Sequence, residues 1–407
     1  MTTETDTLPL NYDNILANHL DNLKQQGNYR YFQALDKKAD KHPVFEKTLQ
    51  CNVSTVVQTF VNWTSNDYMG MSAHPQVIQA FVDAVKTDGV GSGGTRNISG
   101  TTQRHIILEK TIADLHQKQA ALLFTSAYVA NSTAISILGR AFPNTLIISD
   151  AENHASMIEG IKLSRCEKQI FRHNDLQHLE QILAETDRER PKIIAFESVY
   201  SMSGTIAPIP DIIKLAKKYK ALTYLDEVHA VGLYGENGEG IAGQMLCAHD
   251  IDVINGTLAK AFGCVGGYIA GNATIVDYVR SFGEGFIFSS SQPPALCSAA
   301  TESILFLKNN PNSRKNFHEN IKILRGVFRQ AKIEFEENPS HITRIIIGDA
   351  KRSKLIADRL FNEFGIYLQP INFPTVPKGK EGLRIVCTVL HTQDHIAALA
   401  KALLCVL

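Results

Sequence analysis

The sequence lacks the short signatures of several common protein classes. Its seven cysteines are scattered without a C-x-x-C pair, which argues against a zinc cluster and against a disulfide framework. Neither a G-x-x-x-x-G-K-S/T loop nor an H-E-x-x-H motif is present, which argues against P-loop nucleotide hydrolases and zinc proteases. We therefore expect no bound metal, and cysteines that stay reduced.

A net charge and a long hydrophobic run are also missing. The chain has 41 basic residues (Lys and Arg) and 41 acidic residues (Asp and Glu). It therefore has no overall electrostatic attraction to nucleic acid or to an anionic membrane. No apolar run approaches the ~18 residues of a membrane span. The first residues, MTTETDTLPLNYDN, are polar and acidic and lack the order of a secretory signal. These absences predict a cytoplasmic protein with no nucleic-acid and no membrane partner.

The composition is that of a globular protein, and the length exceeds one typical domain. The 407 residues are 44% apolar and 20% charged, which predicts two domains. Residues 11–40 have a helical periodicity that Gly27 interrupts, and residues 47–64 alternate like a strand or hairpin. We assign residues 1–65 to an N-terminal helical and strand segment.

Between residues 66 and 300, short apolar runs alternate with amphipathic stretches. The runs are AALLFTS, TLIISD, KIIAFES, ALTYLDE, DVINGT and GGYIAG. This alternation predicts a large α/β domain over residues 66–300, with a mostly parallel sheet and helices on both faces. Residues 301–407 change pattern and predict a smaller α+β domain.

Ligands of open α/β sheets bind beyond the carboxyl ends of the strands, so the residues after each run are candidates. Asp226 ends the run ALTYLDE, and His229 follows it. A carboxylate there can pair with a protonated ring nitrogen of a cofactor. Two alternatives remain. One is a D-E-x-H nucleotide-hydrolase box, whose upstream phosphate loop is missing. The other is an acidic helix cap beside a packed histidine.

Lys260 follows the run DVINGT in a setting of small residues. Gly256, Ala259, Ala261 and Gly263 surround it in the sequence, which is unusual for a solvated surface lysine. Desolvation lowers the pKa of an amine, as a lysine that forms a Schiff base requires. The hydroxyl of Thr257 nearby could bind a phosphate.

Two further strand ends could hold a phosphate or a ring. The run AALLFTS continues through Ser126, Ala127 and Tyr128 into a helix. The N-terminus of that helix could bind phosphate or simply be capped by the serine. Ser149 and His154 follow the run TLIISD, and His154 could stack on a cofactor ring or pack in the core.

The glycine-rich stretch GVGSGGTRNISGTT is a poor match to a dinucleotide-binding loop, because a helical pattern precedes it instead of a strand. Thr95, Arg96 and Asn97 within it offer polar groups beside a backbone that a ligand can approach closely. A flexible loop without a ligand is the alternative.

Together these segments resemble the α-oxoamine synthase family of fold-type I pyridoxal-phosphate enzymes. The resemblance extends from about Tyr12 to about Leu404. Its most specific stretches are NYRYF, SNDYMGM, GSGGTRNISGTT, NHASMIEGI, HNDL, FESVYSM, DEVHAVG, GTLAKA, GFIFSSS and INFPTVPKGKEGLR. Three of them, the Thr-Arg-Asn-Ile loop, NHASMIEGI and INFPTVP, are similar to the subgroup that condenses glycine with succinyl-CoA.

The resemblance implies a role for each candidate residue. Lys260 would hold pyridoxal 5'-phosphate and later move the glycine proton, with Asp226, His229 and His154 around the cofactor ring. Arg384 would bind the glycine carboxylate. The remaining cofactor residues would be Ala127, Tyr128, Ser201 and Thr257, with Ser289 and Ser290 reaching the site of a partner subunit. The remaining substrate residues would be Arg30, Asn66, Thr95, Asn97, Ser149, Lys168 and Thr375.

The implied activity is a condensation of glycine and succinyl-CoA in a homodimer, with loss of carbon dioxide and an amino-keto acid precursor of tetrapyrroles as product. Another acyl-CoA, as in enzymes that make autoinducer ketones, is an alternative. A catalytically silent subunit that keeps the fold is a second alternative.

Three features depart from the pattern of the subgroup: Ala259 where a glycine is expected, a serine pair at 289–290, and the proline-free stretch from Cys387 to Leu390.

Overall fold

The N-terminal part consists of a helix and a hairpin. The computed structural model describes residues 11–51 and 54–407, so the first ten residues considered above lie outside it. Helix α1 (Tyr12–Gln25) is followed by β1 (Asp36–Lys37), β2 (Val44–Cys51) and β3 (Ser54–Asn62), of which β2 and β3 pair antiparallel. The predicted hairpin is confirmed. The predicted helix over residues 28–40 is wrong: Gly27 has a φ of 74°, which ends the helical path.

A seven-stranded sheet forms the centre of the molecule. Its strands lie in the order β4-β10-β9-β8-β7-β5-β6, and only β10 runs antiparallel to its neighbours. The predicted, mostly parallel sheet is thereby confirmed. The strands are β4 (Ala120–Phe124), β5 (Leu146–Asp150), β6 (Glu167–Phe171), β7 (Lys192–Glu197), β8 (Ala221–Asp226), β9 (Val253–Thr257) and β10 (Gly267–Gly271).

Helices cover both faces of this sheet. Leu122 and Leu123 of β4 belong to two separate buried clusters, because successive side chains of a strand point to opposite faces. Each cluster is closed by helices. They are α2 (Pro75–Asp88), α3 (Gln103–His116), α4 (Ala127–Arg140), α5 (Ala155–Ser164), α6 (Leu176–Glu185), α7 (Ile209–Tyr219), α8 (Ile241–Gln244), α9 (Ala273–Phe282), α10 (Glu284–Ile287) and α11 (Pro294–Asn309).

The C-terminal part has a small antiparallel sheet with the order β11-β14-β13. A fourth strand, β12, pairs with β3 instead, so the N-terminal hairpin joins the C-terminal part through one sheet. The elements are α12 (Pro311–Gln330), β11 (Thr343–Ile346), α13 (Ala350–Phe364), β12 (Ile366–Tyr367), β13 (Pro370–Ile371), β14 (Gly382–Ile385) and α14 (Gln393–Val406). The predicted domain boundaries at residues 65 and 300 stay a prediction.

The parallel strands bring polar side chains to one edge of the large sheet. Glu197 ends β7, Asp226 ends β8 and Thr257 ends β9, and these three strands are neighbours. All three side chains are buried. Across the described residues, every helix is too short or too polar to cross a bilayer.

Candidate active site

Lys260 lies just beyond β9, among the side chains at this sheet edge. Its Nζ is 2.5 Å from Nε2 of His229. Burial, reinforced by the positive charge of Arg384, lowers the pKa of Lys260 to about 7. A lysine with this pKa carries a substantial unprotonated fraction at neutral pH, which makes its amine a nucleophile.

His229 continues a chain of hydrogen bonds away from Lys260. Its Nδ1 lies 3.2 Å from the Tyr68 hydroxyl, which in turn lies 3.1 Å from Oδ1 of Asn66. Burial and the charge of Lys260 hold the pKa of His229 well below its usual range, so the imidazole is neutral. With its proton on Nδ1, His229 can donate to the Tyr68 hydroxyl, which in turn donates to Asn66, and Nε2 is free to accept from Lys260.

Arg384, on strand β14 of the small sheet, forms hydrogen bonds with two members of this hydrogen-bond network. Its Nη2 donates to the Tyr68 hydroxyl at 2.9 Å and its Nη1 donates to Oδ1 of Asn66 at 3.2 Å. Both acceptors are neutral, and Nε of the buried guanidinium has no partner among the described residues. A buried cation held only by neutral groups is suited to bind an anion.

Asp226, at the end of β8, is a buried carboxylate at the same sheet edge. Its Oδ2 accepts from the side-chain amides of Asn131 (2.6 Å) and Asn255 (3.1 Å), and its Oδ1 accepts from the backbone N–H of Val228 (2.8 Å). All three donors are uncharged, so the hydrogen bonds orient the buried carboxylate without neutralising it. Such a group can hold a cationic ring nitrogen.

The N-terminus of α4 lies against β10. Ser126 caps this helix by accepting from the N–H of Val129, so the serine cap given above as an alternative is present, and phosphate binding at this helix stays a prediction. The first N–H groups of a helix, here those of Ala127 and Tyr128, have no partner within it. Gly267 permits the close approach, because a Cβ there would lie 2.0 Å from the Ala127 nitrogen. This arrangement offers N–H groups to a phosphate.

Two further predicted residues are held by specific contacts. His154 caps α5, its exposed ring accepting at Nδ1 from the N–H of Ser156, and its own N–H donates to Oε1 of Glu197 at 2.6 Å. Burial and the nearby Asp226 raise the pKa of Glu197 well above its usual range. Ser201 lies in the turn between Val199 and Ile206, which form an isolated bridge.

The hydroxyl of Thr257 accepts from the N–H of Ala259 and donates to the carbonyl of Gly266, both at 3.1 Å. Ala259 is exposed.

The proline-free stretch from Cys387 to Leu390, which differs from the family pattern, is held by burial and by a backbone hydrogen bond. Cys387 and Thr388 are buried, and Val389 donates its N–H to the Tyr68 carbonyl at 2.9 Å. Without prolines, this stretch therefore still supports Tyr68.

The remaining predicted residues form separate groups. Arg30 and Thr375 are hydrogen bonded at 2.9 Å and line a cavity of about 430 Å³ between the chain after α1 and α13. Ser149 is buried and accepts from Asn153, whereas Lys168 is exposed on the edge strand β6.

Thr95, Asn97, Ser289 and Ser290 form another group, which we call the Thr95 cluster. Thr95 forms a β-bridge with Ser290, and its hydroxyl donates to Asn97 at 2.7 Å. Among the described residues, no hydrogen bond joins this cluster to Lys260, Asp226 or Arg384.

Sequence reasoning missed the central position of Tyr68. The residue belongs to the stretch SNDYMGM, but only its neighbour Asn66 was selected. Asn131 and Asn255 were missed as well, because a buried amide within a helix or strand has no local signature. For Asn255, the available signal was its position near the end of a predicted strand, since it lies on the strand next to Asp226.

The comparisons agree with this geometry. Residues 58–403 match the family model for aminotransferase class I and II. A 5-aminolevulinate synthase of Rickettsia bellii is 48% identical over 96% of this chain and 93% of its own length. Another, of Rhizobium meliloti, is 49% identical over 97% and 96%.

Solved structures show the same fold. A serine palmitoyltransferase from S. paucimobilis with bound PLP superposes with a TM-score of 0.86 at 28% identity, covering 97% of both chains. An 8-amino-7-oxononanoate synthase from Francisella tularensis gives a TM-score of 0.71 at 25% identity, over 84% of this chain and 96% of that one.

The sheet is covered by helices on both faces and has a half-buried lysine and a buried aspartate at its edge. These features define a fold-type I enzyme of the pyridoxal-phosphate class. The two bacterial relatives narrow this class further. The chain belongs to the aminotransferase class I and II family and, within it, to the 5-aminolevulinate synthases.

Proposed function

We propose that the protein condenses glycine with succinyl-CoA, giving 5-aminolevulinate, free coenzyme A and carbon dioxide. No oxidant is needed: the glycine α-carbon loses a proton and bonds to the succinyl carbonyl carbon, and the thiolate leaves and takes up a proton. The glycine carboxylate then departs as carbon dioxide, and a proton from solvent replaces it on the α-carbon. The relatives named above support this reaction, since both are 5-aminolevulinate synthases.

Pyridoxal phosphate fits the residues at the sheet edge. Lys260 would hold its aldehyde carbon, Asp226 its ring nitrogen, and the N-terminus of α4 its phosphate. His229 would face the ring oxygen and His154 the ring plane, with Ser201 and Thr257 beside the cofactor. The fit rests on a buried carboxylate whose partners are all uncharged and on the cradle that Gly267 leaves open. When bound, the cofactor accepts the electrons left by a broken bond at the glycine α-carbon.

The protein's own groups perform the remaining tasks. Lys260 would remove the proton from the glycine α-carbon, because its pKa of about 7 suits a base at neutral pH. Arg384 would hold the glycine carboxylate through its two Nη groups, displacing the neutral contacts to Tyr68 and Asn66. His229, kept neutral by burial, would accept and donate hydrogen bonds without adding a positive charge.

The observation that carries this proposal is the separation of the two buried charges. Among the described residues, Arg384 and Asp226 have only uncharged hydrogen-bond partners, and the charges of both act on Lys260. A buried charge without a counterion is costly. The arrangement is therefore suited to a ligand that carries a carboxylate near a cationic ring.

The acyl substrate can be tested with the purified, cofactor-loaded protein. Glycine is supplied with succinyl-, acetyl-, pimeloyl- and octanoyl-CoA, and thiol release and product mass are followed. A strong preference for succinyl-CoA, with 5-aminolevulinate as product, supports the proposal. A site built to bind a carboxylate rejects substrates that lack one. Preference for an uncharged acyl chain would overturn the substrate assignment and leave the cofactor assignment intact.

The same proposal includes a homodimer whose two chains share each site. The Thr95 cluster carries hydroxyl and amide groups but makes no hydrogen bond to Lys260 or Arg384 within one described chain. Large apolar side chains surround it, since Phe288 is 79% and Ile98 80% exposed, as expected for an interface. We propose that the cluster completes the site of a second copy. Ser149, Lys168, Arg30 and Thr375 stay proposed substrate contacts, and the cytoplasmic location stays a prediction.

A further inference from the structure

A buried arginine outside the Lys260 network joins two segments that carry proposed site residues. Arg344 lies on β11 directly opposite Arg384 of β14 and is only 6% exposed. Its Nη1 donates to the carbonyl of Met202 at 3.2 Å, and its Nη2 donates to the carbonyl of Lys380 at 3.0 Å. Met202 directly follows Ser201, and Lys380 lies between Thr375 and Arg384 along the chain.

The turn that carries Ser201 rests on the same part of the molecule. Residues 200–205 are closed by the N–H of Gly204, which donates to the Tyr200 carbonyl at 2.9 Å. Gly204 packs on Asn338, because a Cβ at this position would lie 2.6 Å from Asn338 Cγ. Asn338 in turn accepts from Nη2 of Arg325 at 3.2 Å. The turn is therefore seated on the segment just before β11.

The guanidinium suits this position better than another cation would. Its two Nη groups donate in different directions within one plane, so one side chain can bond carbonyls from two segments. Its charge is partly balanced by Glu336, whose Oε2 lies 3.2 Å from Nε. A lysine ammonium is a point charge that cannot reproduce this fork.

We propose that Arg344 is a positioning residue that fixes the Ser201 turn relative to residues 372–381 and thereby sets the affinity for the acyl substrate. This inference rests on the proposed function, which assigns Ser201 and Thr375 to the site. Residues 372–381 carry Thr375 and lead directly into β14. Among the described residues, the hydrogen bonds of Lys260, Asp226 and His229 do not include Arg344.

The test compares the Arg344→Met holoenzyme with wild type by hydrogen–deuterium exchange and by steady-state kinetics. We expect faster exchange in both residues 200–205 and residues 372–381. We also expect a KM for the acyl-CoA about tenfold higher, because the variant loses both hydrogen bonds that hold the two segments together. The kcat and the visible absorbance of the cofactor should change far less. Arg329→Met is the matched control, since Arg329 is an exposed arginine of the same region that pairs with Glu337.

A second variant guards against misfolding. Arg344→Lys keeps the charge but can reach only one carbonyl at a time, so it should change exchange and KM in the same direction by less. Wild-type exchange and KM in the lysine variant would overturn the inference, as would faster exchange in only one of the two segments. If wild type prefers another thioester, the substrate proposal fails, and the inference about Arg344 is judged with that thioester and by exchange.

Discussion

At the scale of single residues, the site keeps its buried charges apart. Arg384 and Asp226 are not paired with each other, and each is held by neutral groups. Unpaired buried charges cost stability, so the arrangement trades stability for ligand binding. The charge of Arg384 also acts on Lys260, because a nearby cation disfavours the protonated amine.

This coupling predicts a pH effect of Arg384→Gln. Removing the positive charge should raise the pKa of Lys260 above about 7, because a nearby cation disfavours the protonated amine. The attachment of pyridoxal phosphate to the cofactor-free protein needs the unprotonated amine. Its rate, followed by absorbance across pH, should therefore show a midpoint at higher pH in the variant. Arg329→Gln should leave the midpoint unchanged, and an equal midpoint in all three proteins would contradict the coupling.

At the scale of elements, the sequence predicts strands best where a continuous apolar run corresponds to a single buried strand. Strands β5, β7, β8 and β9 were found because they are buried on both faces and therefore continuously apolar. Strand β6, with the sequence EKQIF, was missed because it lies at the sheet edge and is largely exposed. The site residues at strand ends, such as Asp226 and Lys260, could be predicted because each lies at or just after the end of one of these apolar runs. Tyr68 could not, because its contacts to His229 and Arg384 span 161 and 316 residues.

The contact between α4 and β10 predicts an effect of Gly267→Ala. The new Cβ would lie 2.0 Å from the Ala127 nitrogen and 2.3 Å from its Cα. Both are backbone atoms, so the start of α4 must move. We expect pyridoxal phosphate to bind at least about tenfold more weakly, since the helix N–H groups would no longer converge on its phosphate. Titration of the cofactor-free protein measures this affinity.

Gly326→Ala is the matched control for that titration. A Cβ at Gly326, within α12, would meet nothing within 4 Å, and alanine favours a helix. This variant should bind the cofactor normally and unfold at the same or a higher temperature. Normal cofactor affinity in Gly267→Ala would show that the start of α4 is not where the phosphate binds.

At the scale of the whole molecule, the Thr95 cluster lies on an exposed apolar surface instead of at the Lys260 site. If two chains share their sites, an inactive Lys260→Ala chain should complement a chain inactivated in the cluster by Thr95→Val and Ser290→Ala. The hybrid dimer has one site with an intact lysine from one chain and an intact cluster from the other. Random exchange of subunits should restore roughly a quarter of wild-type activity, because half of the dimers are hybrids with one working site each.

Each variant alone should stay inactive at every concentration, and the recovered activity should need both chains together. Sedimentation of the mixture would show whether dimers form and exchange. If hybrids form but no activity returns, the Thr95 cluster serves the site of its own chain, and a movement within one chain must then bring it to Lys260. Recovery of activity would instead explain why the cluster lies on the exposed apolar surface around Phe288 and Ile98, since that surface would be the one the second chain covers.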